Sequence, residues 1–478
     1  MRRHRKKLYA LAVVVLLPIL AHVLVGLLTN VAPPPVATSR LPMEEKDGVR
    51  RAGKGWAAIR GVRLVHLEGT PEEIGAQHTS LLHDRMVANE AVLWDAFTEI
   101  VPFAPARTLM FDIGRVQYRD VAKNFPEPRL REIAAEARAF DPDPYASKVP
   151  TFQRLSMLHA LYDISLGFEH SPLLGCTSFA LDAAKTEDGH VLFARAFDFE
   201  AAEVFDRDKA VFLVHEEGRI PFASVAWPGL VGVVTGMNAE GVAMSAHGGR
   251  AREPRATGIP MAFSLREALS TAHDADEAAK ILSAQEVMVS NIVFVADAKG
   301  RSYVVERAPG AAAFVRPAPV VTNHFEGPLA SDPKNQRVRE TTSTLARRAR
   351  MDELLAALPA KSGSVPRAVA MLRDHRCAGG ETCLLGDRRA IDAFIATHGV
   401  VADLTARTLW VSEGPQLSGR FVKVDPSLLV QRTDGAPAPV PPAELETIPA
   451  DEVMSDGRYA EGRARSGGPL LKVKGGKQ

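Results

Sequence analysis

Near residue 173 the hydrophobic pattern of this chain changes period. From Gly61 to about Leu158 apolar residues recur at three- and four-residue spacing, as in PEEIGAQHTSLLHDRMVANEAVLWDAF (71–97), which follows a Thr70-Pro71 helix start. Beyond it come short alternating or apolar runs separated by turn signals: LLGCTSFALDAAKTEDGHVLFARAFDFE (173–200), KAVFLVHEEGRIPFASVAW (209–227), LVGVVTGMNAEGVAMSAHGG (230–249), SNIVFVADAKGRSYVVERA (290–308) and APVVTNHF (318–325). These read as hairpins of antiparallel sheet. Two helical stretches, Ala262 to Ala284 and Asn335 to Leu358, interrupt them, and RTLWVSEG (407–414) and GRFVKVD (419–425) read as the last strands. Hairpins with helices segregated before and between them point to an α+β body in which helices cover two stacked antiparallel sheets.

A net charge of +1, with 46% hydrophobic and 24% charged residues, describes a large globular core and gives no basic field for nucleic acid. The N-terminus is different. MRRHRKK precedes an apolar run from Leu8 to Leu28 that only Pro18, His22 and Gly26 interrupt. A cleavable signal core is about 7 to 15 residues, so this run of roughly 20 predicts an uncleaved transmembrane helix within residues 1–29. The basic flank puts the body outside the cytoplasm, periplasmic or extracellular and anchored to the membrane. Cleavage near Ala32 or Ala37, giving a secreted body, is the alternative. Residues 30–55 read as a linker, 56–425 as the folded domain, and 426–478, rich in Pro, Gly and charge, as a flexible tail.

The chain has three cysteines. Cys377 and Cys383 lie close in CAGGETC and could close a small disulfide; no second ligand pair at zinc spacing accompanies them. Cys176 is left unpaired, which in an exported protein marks it out. It starts the first strand of a hairpin that runs through Thr177–Leu181, turns at Glu187-Asp188-Gly189 and returns over Val191–Phe199. A buried free cysteine is usually a small hydrophobe. Arg195 on the return strand comes close to the first strand, where its guanidinium favours thiolate. Asp198, three residues on, faces the other side of a regular strand, so an inward carboxylate requires a bend or the strand's end near Phe197. Neither a strand-GxGxxG-helix nor an HExxH motif occurs, so no metal and no cofactor is expected.

Gly175-Cys176-Thr177-Ser178-Phe179, then Asp188-Gly189, then Arg195-x-x-Asp198, resembles the region after the autoprocessing site of the penicillin acyltransferase (acyl-coenzyme A:isopenicillin N acyltransferase) family of N-terminal-nucleophile hydrolases. Bile-salt hydrolases and acid ceramidases are more distant relatives of that family. GTPEEIGAQH (69–78), MNAEG (237–241), TNHF (322–325) and RTLWVSEGP (407–415) resemble it too, in the same order, so the likeness covers about residues 60–425. It implies a four-layer αββα N-terminal-nucleophile fold and a precursor that cleaves itself between Gly175 and Cys176, the two chains staying associated. A glycine before the nucleophile tolerates the strained backbone that an N-to-S acyl shift would exploit. The freed Cys176 carries both nucleophile and base, since an α-amino group titrates at about 7.7–8.0. Arg195 and Asp198 become partners of that nucleophile, Asp198 orienting the amino group. Asn323 becomes an oxyanion donor, with backbone N–H groups around His247 and Gly248 as candidates for the second. Which of Arg337, Arg339, Arg347 and Arg348 enters the site stays open. Many relatives carry asparagine where this chain has Ala196, which leaves the substrate class open.

The implied function is a cysteine amidohydrolase or acyltransferase that acts on a small non-peptide acyl amide through a thioester. The alternatives are a phospholipase B-like acyl-ester hydrolase and a catalytically inactive envelope binding protein of the same fold.

Overall fold

Thr70 caps the first long helix as its sequence predicts: its hydroxyl accepts from the Glu73 N–H, and the Glu73 carboxylate accepts from the Thr70 N–H at 2.8 Å. The structure, a computed structural model, describes residues 16–166, 174–199, 202–430 and 438–467. Strands β1 (Glu44–Lys46), β2 (Val49–Ala52), β3 (Gly55–Arg60) and β4 (Val62–Gly69) precede helices α1 (Pro71–Ile100), α2 (Ala104–Gln117), α3 (Glu127–Ala139), α4 (Thr151–His159) and α5 (Leu161–Leu166). The hairpin β5 (Leu174–Leu181) and β6 (Leu192–Phe199) follows, then α6 (Val204–Arg207), β7 (Ala210–Glu216), β8 (Phe222–Ala226), β9 (Thr235–Asn238) and β10 (Val242–Gly248). Next come α7 (Met261–Leu269), α8 (Ala275–Ala284), β11 (Asn291–Asp297), β12 (Ser302–Arg307), β13 (Phe314–Pro317) and β14 (Val320–Val321). The rest is α9 (Pro333–Thr341), α10 (Thr344–Ala357), α11 (Val365–Leu372), β15 (Ala396–Asp403), β16 (Thr408–Ser412), β17 (Phe421–Val424), β18 (Thr447–Ile448) and α12 (Arg458–Arg465).

Two sheets stack face to face. One has 11 strands in the order β1-β2-β3-β4-β7-β8-β9-β10-β11-β12-β13, the other seven in the order β14-β5-β6-β15-β16-β17-β18. Apolar side chains fill the space between them, with Phe193 of β6 stacked on Phe294 of β11 at 5.6 Å. The outer face of the larger sheet packs Met244, Val293 and Val305 under Leu265 and Leu269 of α7 and Leu282 of α8. That of the smaller packs Phe179, Leu192 and Ala194 under Met351 of α10 and Val369 and Leu372 of α11. The result is helices, sheet, sheet, helices, the layering of an N-terminal-nucleophile fold.

The structure corrects the expected architecture in several places. Among the described residues no helix is long and apolar enough to cross a membrane. Residues 16–28 are helical, about 20 Å at 1.5 Å per residue against a hydrocarbon core of about 30 Å. His22 of this segment bonds the Asp112 carboxylate at 2.9 Å and the Gly26 carbonyl accepts from Arg115, so α2 is its neighbour. The transmembrane anchor over 1–29, the membrane as partner and the membrane-anchored location are therefore not upheld; residues 1–15 of that segment lie outside the described residues. The larger sheet is not wholly antiparallel, because β4 runs parallel to β7 from Arg63 opposite Ala210 to Gly69 opposite Glu216. Part of the expected linker is the β1–β2 hairpin, turning at Asp47 and Gly48, both at positive φ. Part of the expected tail also folds back: β18 pairs with β17, and Tyr459 of α12 donates its hydroxyl to Gln416.

Asp163 of α5 ties the helical region to α7. Both of its carboxylate oxygens accept from the Met261 N–H, at 3.0 and 3.1 Å, and full burial pushes its pKa up to about 7. The folded chain thus holds a proton there that the unfolded chain, titrating near 3.8, gives up first. Stability from this group is present at low pH and declines as pH rises from about 4 through about 7. Asp163→Asn keeps the acceptor and removes the titration. In urea unfolding at about pH 5 and about pH 8, the variant should gain on the wild type at the higher pH; an identical difference at both would show that Asp163 does not titrate in this range.

Candidate active site

Cys176 lies in β5, opposite Phe197 of β6, and Ser178 lies opposite Arg195, so these four side chains share the face turned to the larger sheet. The thiol is fully buried and is the chain's free cysteine, while Cys377 and Cys383 are joined as a disulfide. Arg195, also buried, donates from Nη2 to Cys176 Sγ at 3.5 Å. Its other hydrogen bonds cross to the larger sheet: the Val234 and Ala246 carbonyls accept from it, and Thr235 Oγ1 accepts at 2.6 Å. Beneath it the Phe197 ring lies 4.3 Å away. Burial pushes the Cys176 thiol up, and the Arg195 charge opposes that shift.

The backbone of Cys176 is gripped from the other side. Its N–H donates to Asn323 Oδ1 at 2.7 Å, and its carbonyl accepts from Arg347 Nη1 at 2.5 Å. Arg347 also donates to Asn323 Oδ1 at 2.9 Å and to Thr177 Oγ1 at 2.9 Å. Asn323 is itself fixed twice, its N–H on Thr344 Oγ1 at 2.9 Å and its Nδ2 on the Gly248 carbonyl at 3.0 Å. Of the four arginines left open by sequence, Arg347 is the one bonded to Cys176. Arg348 beside it turns out to Glu326 at 2.7 Å and Asp352 at 3.0 Å, and Arg337 is exposed on α9.

Asp198 pairs with Gly175 across the hairpin and is buried. A Cβ on Gly175 would stand 2.8 Å from Asp198 Oδ2, so the carboxylate lies directly against the residue before Cys176. The need for glycine here is this close approach: Gly175 is not among the residues at positive φ. β6 runs on regularly past Phe197 against β5, so the expected bend that would turn Asp198 to the thiol's face is not present in β6, and the local irregularity is a register shift in β15 between Ala396 and His398. Ala196 sits in the apolar core between the smaller sheet and its helices; an amide there would meet hydrocarbon.

Two histidines flank the site. His247 Nε2 shares hydrogen bonds with Ser178 Oγ at 2.9 Å and Ser245 Oγ at 3.1 Å, and His398 Nε2 bonds Thr235 Oγ1 at 2.9 Å. Burial holds both well below the usual imidazole range. Gly248 meets the site through its carbonyl, which Asn323 uses. Alongside Phe197 opens an apolar cavity of about 270 Å³, walled by Tyr162, Phe199, Trp227, Val234 and, on α1, Met86 and Leu93.

The comparisons bear on residues around this geometry. Residues 184–414 match the family model of acyl-coenzyme A:6-aminopenicillanic acid acyl-transferase, a span that starts past Cys176 and includes Arg195, Asp198, His247, Gly248, Asn323 and Arg347. That span is similar to this acyl-transferase family. An uncharacterized protein of Archaeoglobus fulgidus is 25% identical over 263 residues, half of this chain, and the match covers 42% of that relative's length. Among solved structures, a Caenorhabditis elegans N-acylethanolamine-hydrolyzing acid amidase ortholog matches at 16% identity and TM-score 0.36, over 48% of this chain and 93% of its own. A mutant conjugated bile acid hydrolase of Clostridium perfringens matches at 14% and 0.36, over 58% and 97%. Penicillin V acylase of Agrobacterium tumefaciens matches at 19% and 0.32, over 50% and 82%. Arg195, Asn323 and Arg347, the side chains bonded to Cys176, all lie within the matched span.

Arg347 and Arg348 are neighbours with opposite expectations. Arg347→Leu leaves the Cys176 carbonyl and Asn323 Oδ1 short of a donor and should destabilise the fold by roughly 2–4 kcal/mol. Arg348→Leu removes partly exposed ion pairs and should cost under about 1 kcal/mol. Denaturant unfolding of the two variants checks this; equal costs would remove Arg347 from its assigned place.

Proposed function

We propose that the protein is a self-processing cysteine amidohydrolase that takes an acyl group into the apolar cavity beside Phe197. What chiefly supports this reading is one arrangement. A buried free thiol has a guanidinium at its sulfur, and its own backbone N–H and carbonyl are held by Asn323 and Arg347, in a chain whose family transfers or hydrolyses acyl groups.

In processing, Cys176 Sγ adds to the Gly175 carbonyl, the peptide nitrogen takes up the thiol's proton and leaves as the α-amino group of Cys176, and water hydrolyses the resulting thioester of Gly175 to free the thiol and the Gly175 carboxylate. Asp198, packed against Gly175 in the uncut chain, then faces the new amino group across the position Gly175 vacates. In turnover the amino group takes the thiol proton, the sulfur attacks the amide carbonyl, and the same proton goes to the departing amine. Water releases the acid from the thioester. Asn323 Nδ2 uses one N–H on Gly248; its second N–H is the donor we assign to the developing oxyanion. The cavity wall is apolar, which suits a hydrocarbon acyl chain.

Purified protein should run as two chains, the second starting at Cys176 by N-terminal sequencing, while Cys176→Ala stays uncut and inert. A single active chain would sink the mechanism. The two chains should co-elute without denaturant, since β4 from one and β7 from the other form seven consecutive paired positions of one sheet. On processed protein, Asn323→Ala should lower acyl-amide turnover by about 10²- to 10³-fold. Adding an amine acceptor separates hydrolysis from transfer: undiminished acid release fits the amidohydrolase, and a new amide as main product assigns the chain to transfer instead.

A further inference from the structure

The cavity beside Phe197 has one wall that its apolar lining does not explain. Asn89 of α1 faces it, 6% exposed, and neither its Oδ1 nor its Nδ2 has a hydrogen-bond partner among the described residues. Among its polar neighbours in the lining, the Tyr162 hydroxyl and His159 Nε2 also lack a hydrogen-bond partner among the described residues, while the other polar atoms are occupied. Glu90 is ion-paired with Arg154 at 2.7 Å and accepts from Trp94 Nε1 at 3.0 Å, the Ser165 hydroxyl donates to the Tyr162 carbonyl at 2.7 Å, and His159 Nδ1 is on the Leu155 carbonyl at 2.7 Å. A buried amide with both ends unpaired is costly, and such groups in folded proteins have a reason. Leucine would close this wall at no polar cost.

Resting on the amidohydrolase reading for where the acyl group goes, we propose that Asn89 is a specificity residue and that the preferred acyl chain carries a hydroxyl which it binds. An amide offers a donor and an acceptor on one rigid plane, and a hydroxyl is the smallest group that can use either. A ketone would leave Oδ1 unpaired. A carboxylate would be brought without a countercharge into an apolar cavity beside the Glu90 carboxylate, which Arg154 already neutralises. A site that hydrogen-bonds a substrate hydroxyl rejects the analogue that lacks it far more strongly than an apolar pocket rejects a missing methylene.

The probes are the N-ethyl amides of decanoic acid and of its positional hydroxydecanoic isomers. Turnover is measured on processed wild type, and binding by calorimetry on uncut Cys176→Ala, which retains the cavity and does no chemistry. One hydroxy isomer should exceed the plain amide by about tenfold or more in both kcat/KM and affinity. Asn89→Leu and the smaller Asn89→Ala should each bring that ratio close to one, with self-processing as the check that each variant folds. Should neither variant process, the wild-type isomer series and the Cys176→Ala binding series still decide. No preferred isomer in either series, or a ratio untouched by both substitutions, overturns the assignment and leaves Asn89 to ordered water. A binding preference without turnover of any amide upholds Asn89 and defeats the amidohydrolase reading; turnover without a preference does the reverse.

Discussion

A guanidinium buried between two sheets is the constraint from which the rest of the site follows. Arg195 rises from the smaller sheet and is anchored in the larger one by the Val234 and Ala246 carbonyls and the Thr235 hydroxyl. Removing such a charge from water is expensive, and neutral oxygens rather than a bound carboxylate meet most of its donors. Its positive charge is therefore left to act on the nearest ionisable group on the same face, the Cys176 sulfur. The same cross-sheet bonds fix the spacing of β6 against β9 and β10, and so the position of β5, which carries Cys176. On the opposite face Asn323 and Arg347 hold the Cys176 backbone, so the residue is fixed by its side chain and its main chain independently.

What was legible in the sequence is what local pattern encodes. Gly189, at a φ of 79°, closes a turn that Asp188-Gly189 announces, and the register of the two strands then follows, putting Arg195 opposite Ser178 and Phe197 opposite Cys176. Thr70 with Glu73 marks a helix start in the same way. The β1–β2 hairpin carries the same kind of turn at Asp47-Gly48, but in a stretch whose basic and proline-rich surroundings read as linker. Strand β4 is buried on both faces by α1 and the opposing sheet, so its VRLVHLEG lacks the alternation that identifies a strand and merges with the helical pattern after it. Choosing Arg347 over Arg348 depends on the roll of α10, which Thr344 sets by accepting from Asn323 across 21 positions of sequence. No local pattern contains that contact. At the N-terminus, apolar length was read as a span, whereas the described part of that run is a short helix whose polar neighbours are on α2.

On the proposed reading, the position of the cut matters to the architecture as much as to the chemistry. Gly175 and Cys176 lie inside a sheet, with Gly175 opposite Asp198 and Cys176 opposite Phe197, rather than in a surface loop. A break there releases no element from the fold, because the strands before it belong mostly to the larger sheet and are paired along β7. It would free the Cys176 nitrogen from its acyl bond, at the point where Asp198 and Asn323 converge.

The proton inventory around the thiol then narrows the base. His247 and His398 are the imidazoles nearest Arg195, and both are fully buried, with their Nε2 atoms already bonded to hydroxyl groups. Each is held neutral by burial and by the Arg195 charge, so taking a second proton beside that guanidinium is unfavourable for either. Asp198 lies against the backbone of Gly175, on the strand face opposite the thiol. A cysteine base of the kind found in Cys–His enzymes is thus missing from the described residues on the thiol's face. The group that processing would create, an amine on the Cys176 Cα itself, sits two bonds from the carbon that bears the sulfur and titrates near neutrality. On the proposed reading the uncut chain is inactive for want of a base, and cleavage supplies it.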